Sequence, residues 1–126
     1  MNKKIISTAT APAAIGPYSQ AILAGDTLYC SGQIALDPVS GELVIDSIAS
    51  ETEQVMKNIV AVLTAAEMSL DNVVKCSIFM SSMGHYAAIN EVYARFFTKN
   101  PPAREAVAVK TLPKEVNVEI SVIAVR

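Results

Sequence analysis

The chain has 126 residues, of which 52% are hydrophobic and 17% are charged, and its formal net charge is −2. This length suits one compact domain, residues 1–126, with one hydrophobic core. Small domains this rich in apolar residues often bury part of their surface in a subunit interface. The slight negative charge gives no general attraction to phosphate backbones, so no nucleic-acid partner is expected.

Composition also bears on the cellular compartment. No apolar run approaches the length of a membrane span, so no membrane partner is expected. The basic start, residues 1–4, is not followed by the long apolar segment of a secretory signal. Cys30 and Cys76 are too few for a disulfide framework and lie in apolar runs. Both are therefore expected to be buried, reduced thiols of a cytoplasmic protein.

The first third of the chain combines turn signals with short strand patterns. Residues 4–8 fit a first strand, and the small-residue segment 11–16 is a loop that ends in a Gly-Pro turn. Two apolar runs, 21–23 and 27–31, flank Gly25-Asp26. This pattern predicts a β-hairpin with a tight turn.

A long amphipathic helix is predicted next. Apolar residues recur at helical spacing on one face, from Ile48 to Ala66. Asp46 or Ser47 is expected to cap its start, in preference to the capping box that begins at Ser50.

A strand and a second helix follow. Residues 72–80 are rich in Val, Ile and Phe and predict a strand. The second helix is expected to begin after Ser81-Ser82 and to end near Phe97. Its C-terminal limit is set by Pro101-Pro102, because consecutive prolines cannot continue a helix.

The last quarter of the chain contains two alternating runs, 104–110 and 118–125, joined by a turn at residues 111–114. Period-two alternation is typical of half-buried strands, so the two runs are predicted to pair antiparallel around the turn. Arg104 and Glu119 each lie on the less apolar face of their strand. On adjacent strands, the two side chains are expected to face the same cleft.

The element order is strands, helix, strand, helix and two strands, with no repeat and no linker. Because each amphipathic helix needs a sheet face to cover, the simplest arrangement is an α+β fold with both helices on one face. The alternate residues assigned to the other face are too apolar for a solvated surface: Ala106, Ala108, Ser121, Ile123 and Val125. This face therefore predicts an oligomer.

Two charged side chains are the best candidates for chemistry. Arg104 follows a rigid Pro-Pro-Ala segment and offers a planar guanidinium to a carboxylate. The alternative for Arg104 is a salt bridge to Glu105 or another surface carboxylate. Glu119 lies between apolar neighbours, where a carboxylate is partly desolvated and can act as a base toward water. The alternative for Glu119 is a solvated strand residue.

Other chemical motifs are missing from the sequence. It has no Gly-rich phosphate loop and no CxxC pair, and His85 is its single histidine, so no metal site is expected. His85 stands beside Gly84 at a helix start, which favours a structural or solvent-exposed role. Cys76 alternates with Val74 and Ile78 and is interpreted as a core residue rather than a nucleophile.

Four motifs in this order cover nearly the whole chain: AAIGPYSQ at 13–20, CSGQI at 30–34, NEVY at 90–93, and PPAR at 101–104 followed by the VxVxxLPxxxxVEIxxxA pattern. Together they resemble the RidA (YjgF/YER057c/UK114) family of enamine and imine deaminases. The resemblance implies a chorismate mutase-like fold with a mixed β-sheet and two helices on one face. It also implies a homotrimer around a central β-barrel, with clefts between subunits.

The resemblance implies a set of site residues as well. Arg104 would bind the carboxylate of the substrate, and Glu119 would activate the attacking water. The same pocket would be lined by Tyr18, Ser31 and Gly32. Asn90 would support the site, although a helix–sheet hydrogen bond is an equally good explanation for it.

The sequence departs from the family pattern at two positions. Many relatives have cysteine where Ala106 stands, so only the backbone N–H of Ala106 is available to a substrate carboxylate. Relatives usually have glycine where Glu67 stands. Without that glycine a left-handed C-cap is harder to form, and a looser or differently built end of the first helix is expected.

The implied activity is hydrolysis of 2-iminobutanoate and 2-iminopropanoate to 2-keto acids and ammonia. These imines arise from enamines that pyridoxal-phosphate dehydratases release, and their hydrolysis needs no cofactor and no metal. A non-catalytic protein that binds or senses 2-keto acids through the Arg104 cleft is one alternative. An RNA-cleaving translation inhibitor is another, which the negative charge and the lack of a basic stripe disfavour.

Overall fold

A computed structural model describes residues 2–126. Met1, the first residue of the basic start noted above, lies outside the described residues. The strands are β1 (Lys3–Ile6), β2 (Ala21–Ala24), β3 (Thr27–Cys30), β4 (Val73–Met80), β5 (Ala103–Ala108) and β6 (Val118–Val125), and the helices are α1 (Ile48–Ala65) and α2 (Tyr86–Phe96). In this part of the chain, neither helix is long and apolar enough to cross a membrane.

All six strands form one mixed sheet in the order β1-β2-β3-β6-β4-β5. The predicted hairpin is confirmed, because β2 and β3 pair antiparallel on either side of Gly25, whose φ is 61°. β4 and β5 pair in parallel, while every other pair of neighbouring strands is antiparallel. The parallel pair is possible because α2 provides the crossover that returns the chain to the same end of the sheet.

The prediction that the last two strands pair with each other is wrong. β4 lies between them and forms hydrogen bonds with β5 on one side and β6 on the other. The alternating pattern identified both strands correctly, but it does not determine which strands are neighbours. β4 takes the place between them because Cys76, Ile78 and Met80 are at most 1% exposed and need a central position.

Both helices cover the same face of the sheet, as predicted. We call this the inner face. Val55, Ile59 and Leu63 of α1 and Ile89 of α2 join one buried cluster with the inner-facing residues of the strands. Ser47 caps α1, and its Oγ accepts a hydrogen bond from the backbone N–H of Ser50 at 3.0 Å. The preferred helix start is therefore confirmed.

The expectation of a looser end for α1 is wrong. Glu67 adopts the left-handed conformation, with φ 59°, although it is not glycine. Its N–H donates to the carbonyl of Thr64, and the N–H of Met68 donates to that of Leu63, each at 2.9 Å. These two bonds form a Schellman cap. Burial of Met68 at 6% exposure stabilises the turn against the cost of a left-handed Glu67.

No helix formed by residues 2–126 lies on the opposite face of the sheet, which we call the open face. Register places these residues on it: Ile5, Ile22, Tyr29, Lys75, Ser77, Phe79, Glu105, Val107, Glu119, Ser121, Ile123 and Val125. Ala106 and Ala108, which the sequence analysis assigned to this face, lie on the inner side, because they pair with the buried Ile78 and Met80. Val107 takes their place on the open face, and its side chain is 44% exposed.

We expect Val107→Asp to prevent association of copies through the open face, because a charge buried in an apolar contact is costly. Light scattering coupled to size exclusion would then report a monomer. Ala108→Asp is the matched control, since Ala108 is the next residue of the same strand and points to the other side. Equal masses for the wild-type protein and the Val107→Asp variant would show that this face is not an interface.

Candidate active site

A pocket of about 510 Å³ opens beside the first residues after β3. Its walls come from the N-terminal loop, the segment after β3, the turn before β6, and β6 itself. The lining residues are Pro12, Ala13, Ile15, Tyr18, Gln20, Ser31, Gly32, Gln33, Ile34, Leu36, Pro113, Lys114 and Glu119. The structure therefore brings together four of the predicted site residues: Tyr18, Ser31, Gly32 and Glu119. We call this cavity the Glu119 pocket.

Gln20 holds the N-terminal loop in place as one wall of the pocket. Its side chain is 4% exposed. The Nε2 group lies within 3.3 Å of the carbonyl oxygens of Thr8, Ala11 and Pro12, and Oε1 accepts from the N–H of Thr8 at 2.7 Å. A buried amide with all these partners fixes a segment that has no regular structure of its own. Gln20 was not predicted as a site residue, although it ends the AAIGPYSQ motif.

Gly32 lies in close contact with the side chain of Glu119. Gln33 and Ile120 exchange two backbone hydrogen bonds, at 2.8 and 3.1 Å, which bring the segment after β3 against β6. A Cβ atom at Gly32 would lie 2.8 Å from Cδ of Glu119. The Oγ atom of Ser31 donates to the carbonyl of Ser19 at 2.6 Å and ties this segment to the N-terminal loop.

The carboxyl group of Glu119 is half-buried in this pocket. Desolvation raises its pKa above the ordinary value of 4.5, and neither a hydrogen bond nor a nearby charge offsets this effect. A carboxylate that is partly desolvated and unpaired retains its affinity for a proton. Glu119 can therefore accept a proton from a water molecule in the pocket.

Arg104 lies in a second group of residues, against α2. Its Nη1 donates to Oδ1 of Asn90 at 2.7 Å, and its Nη2 donates to the hydroxyl of Tyr86 at 2.8 Å. The guanidinium carbon also lies 4.9 Å from the ring centre of Tyr93 and 5.6 Å from that of Tyr86. The bond between Asn90 of α2 and Arg104 of β5 is compatible with both explanations given for Asn90, a supporting role in the site and a helix–sheet hydrogen bond. Tyr86 was not predicted as a site residue.

All the partners of Arg104 are neutral. No carboxylate among residues 2–126 forms an ion pair with it. The alternative of a salt bridge to Glu105 is wrong, because Glu105 points to the open face, where it contacts Lys75 at 2.9 Å and accepts from Ser77. The guanidinium is held in one orientation while its charge stays available to an anion.

Within one chain, Arg104 and Glu119 do not share a cleft, contrary to the prediction. Arg104 pairs with Cys76 of β4, and Glu119 pairs with Phe79 of the same strand. Because side chains alternate along a strand, residues paired with positions three apart point to opposite faces. Arg104 therefore lies on the inner side with Ala106, and Glu119 lies on the open face.

The remaining candidates take structural positions. Cys76 is fully buried, and burial raises the pKa of its thiol; burial also raises the pKa of Cys30, to about 12. Both are free thiols that are poorly suited to act as nucleophiles. His85 ends a short 3₁₀ turn directly before α2. Among residues 2–126, no three His, Cys, Asp or Glu side chains are grouped to hold a metal ion.

The sequence profile of the family described as Endoribonuclease L-PSP, which is the RidA/YjgF family, matches residues 8–126. The chain belongs to this family. A RidA-family relative from Lactococcus lactis, named as a candidate regulator, AldR, is 51% identical over 96% of each chain. A protein from Bos taurus named 2-iminobutanoate/2-iminopropanoate deaminase is 48% identical and covers 98% of this chain and 90% of its own.

The fold of the RidA family is also shared. The crystal structure of TdcF from E. coli with bound serine superposes with a TM-score of 0.94, at 40% identity and 98% coverage of both chains. The α+β arrangement of a mixed sheet and two helices is therefore that of RidA-family structures. Relatives of similar identity are named both as deaminases and as a regulator.

The two carboxyl groups Glu119 and Glu105 should titrate in opposite directions. Carboxyl ¹³C NMR should give Glu119 a pKa above 4.5 and Glu105 a pKa below 4.5, because Ser77 and Lys75 donate hydrogen bonds to Glu105. A carboxyl group whose pKa is lowered by folding stabilises the folded state at pH values above its ordinary pKa, and this stabilisation is lost as the pH falls through the lowered pKa. A carboxyl group whose pKa is raised by folding destabilises the folded state once the group ionises.

Glu105→Gln should consequently lower the free energy of unfolding at pH 7, and Glu119→Gln should leave it unchanged or raise it. Chemical denaturation at pH 7 measures both. A Glu119 pKa at or below 4.5 would contradict the desolvated base.

Proposed function

We propose that this RidA-family member hydrolyses 2-imino acids such as 2-iminobutanoate and 2-iminopropanoate to 2-keto acids and ammonia. The observation that carries the proposal is the unpaired, desolvated carboxylate of Glu119 in a pocket with Tyr18, Ser31 and Gly32. The name of the Bos taurus relative supports the same reaction. The free, buried thiols of Cys30 and Cys76 are compatible with a cytoplasmic location.

The reaction needs one base and one positioned water. Glu119 removes a proton from the water as its oxygen bonds to C2 of the imino acid, and the electron pair of the C=N bond moves to nitrogen, which takes up a proton from solvent. The product is a carbinolamine. Glu119, now protonated, donates its proton to the nitrogen as the C–N bond breaks, and the hydroxyl group loses its proton to solvent as the C=O bond forms. Ammonia and the 2-keto acid result.

A complete site requires two copies of the chain. The imino acid has a carboxylate, and Arg104 is held by neutral partners with its charge available. Arg104 and Glu119 of one chain lie on opposite sides of the sheet. We infer that open-face contacts in a homotrimer, with its strands around a central barrel, bring Arg104 of one subunit to the Glu119 pocket of the next. A cyclic assembly allows each subunit to give one patch and receive the other.

Arg104→Lys should weaken binding of the product analogue 2-oxobutanoate by roughly tenfold to a hundredfold, because the charge remains but the planar fork is lost. Calorimetry measures the affinity, and circular dichroism shows whether the fold is intact. Arg95→Lys is the control, since Arg95 forms an exposed ion pair with Glu91 on α2. Unchanged affinity in Arg104→Lys would remove Arg104 from the site.

Glu119→Gln separates catalysis from binding. The amide keeps the size of the side chain but cannot take a proton, so 2-oxobutanoate should still bind while the acceleration of imine hydrolysis is lost. The assay couples a serine or threonine dehydratase, which generates the imine, to a scavenger that competes for it. The acid limb of kcat/KM in the wild-type protein should lie above 4.5. Full activity of Glu119→Gln would refute the mechanism.

A non-catalytic sensor of 2-keto acids is the second candidate, and the regulator name of the Lactococcus lactis relative favours it. Such a protein would bind 2-oxobutanoate through the same residues without accelerating imine loss. RNA cleavage, which the family description suggests, is opposed by the net charge of −2. The dehydratase-coupled assay distinguishes the deaminase from both alternatives.

A further inference from the structure

Lys114 is the one cationic residue among the described residues that line the Glu119 pocket. It belongs to the turn Pro113–Glu115, between β5 and β6. No carboxylate within residues 2–126 forms an ion pair with its ammonium group. The border of the pocket therefore carries an exposed lysine that has no ion-pair partner in the described chain.

The backbone fixes where Lys114 starts. Lys114 and Glu115 have φ values of 55° and 56°, in the left-handed region that non-glycine residues rarely adopt. The turn is closed by bonds from the N–H of Glu115 to the carbonyl of Leu112 at 2.9 Å, and from that of Val116 to Pro113 at 3.3 Å. Both residues share this conformation, but only Lys114 borders the pocket, so Glu115 provides a control for changes of the turn itself.

A 2-imino acid approaching this pocket meets an electrostatic problem. Its carboxylate is repelled by the ionised Glu119 that must act as base. Arg104 of the same chain lies on the other side of the sheet. In the proposed assembly, Arg104 of the next subunit would offset part of this repulsion, and Lys114 would act beside it. A cation on the wall of the pocket attracts the substrate anion and raises its local concentration.

We propose that Lys114 recruits and orients the carboxylate of the substrate at the border of the Glu119 pocket. This inference rests on the proposed function for its substrate class. Lys114 acts on the bound carboxylate, which is unchanged in the reaction, so it contributes equally to the substrate and the transition state. Its removal should therefore raise KM and leave kcat within about twofold.

The test uses two pairs of variants. Lys114→Gln removes the charge, and Lys99→Gln removes another exposed lysine that lies outside the pocket. Lys114→Gly and Glu115→Gly each place glycine at a left-handed position and so relieve the same backbone conformation. Lys114→Arg keeps the charge. Each protein is examined by calorimetry with 2-oxobutanoate, by thermal unfolding, and by the dehydratase-coupled assay at low and high salt.

Lys114→Gln and Lys114→Gly should raise the dissociation constant of 2-oxobutanoate by about three- to tenfold, as expected for one partly screened charge. Their KM should rise in parallel and depend less on salt. The two controls and Lys114→Arg should stay within about twofold of the wild-type protein. Because Lys114→Gly should unfold at the same temperature or higher, its weaker binding would not reflect damage to the fold.

Unchanged affinity in both Lys114→Gln and Lys114→Gly would overturn the inference. Parallel losses in Glu115→Gly would overturn it too, since they would point to the turn rather than the charge. Failure of the proposed function has a different signature, in which the wild-type protein binds 2-oxobutanoate but does not accelerate imine hydrolysis. In that case the binding measurements still decide the role of Lys114.

Discussion

β4 forms hydrogen bonds with β6 along one edge and with β5 along the other. This arrangement separates β5, which carries Arg104, from β6, which carries Glu119, and fixes their relative register. Since Arg104 and Glu119 pair with positions of β4 that have opposite orientations, the two side chains lie on different sides of the sheet of one chain. The proposed mechanism, in which both act on one substrate, would therefore need a second subunit to bring them together.

The geometry of the Glu119 pocket depends on a second buried interaction. Glu51 of α1 is fully buried, and its carboxylate accepts hydrogen bonds from the N–H and side-chain amide of Asn117, at 2.8 and 2.9 Å, and from the N–H of Val118 at 3.2 Å. These bonds anchor the first residues of β6 to the helix layer. They fix the chain between the turn that carries Lys114 and the strand position of Glu119. A buried carboxylate with three donors stabilises one geometry of this segment and makes others costly.

Much of the fold could be predicted from the sequence, because local chemistry determines it. Alternation identified the strands, helical spacing identified α1 and α2, and Ser47 marked the start of α1. Pairing of β5 with β4 could not be predicted, since period-two alternation in β5 and β6 is equally compatible with a hairpin. The left-handed Glu67 was also missed, because its cost is offset by burial of Met68 and not by a local glycine.

The candidate site was predictable in its residues but not in its arrangement. Motif likeness selected Tyr18, Ser31, Gly32 and Glu119, which line one pocket. It did not select Tyr86 or Lys114, whose surroundings depend on tertiary contacts that no spacing in the sequence expresses. The assignment of Ala106 and Ala108 to the open face was wrong because alternation along β5 does not determine its tertiary contacts, just as it does not determine which strands are neighbours.

Complementation between two inactive variants tests most directly whether each site is shared by two subunits. Arg104→Ala and Glu119→Gln proteins are purified separately, then dissociated and reassembled together, and imine hydrolysis is measured. If Arg104 and Glu119 come from different copies, mixed assemblies contain sites with both native residues, and the mixture regains a substantial part of the wild-type activity. If the mixture stays as inactive as either variant alone, although mass measurement confirms mixed assemblies, the two residues do not act together across a subunit boundary.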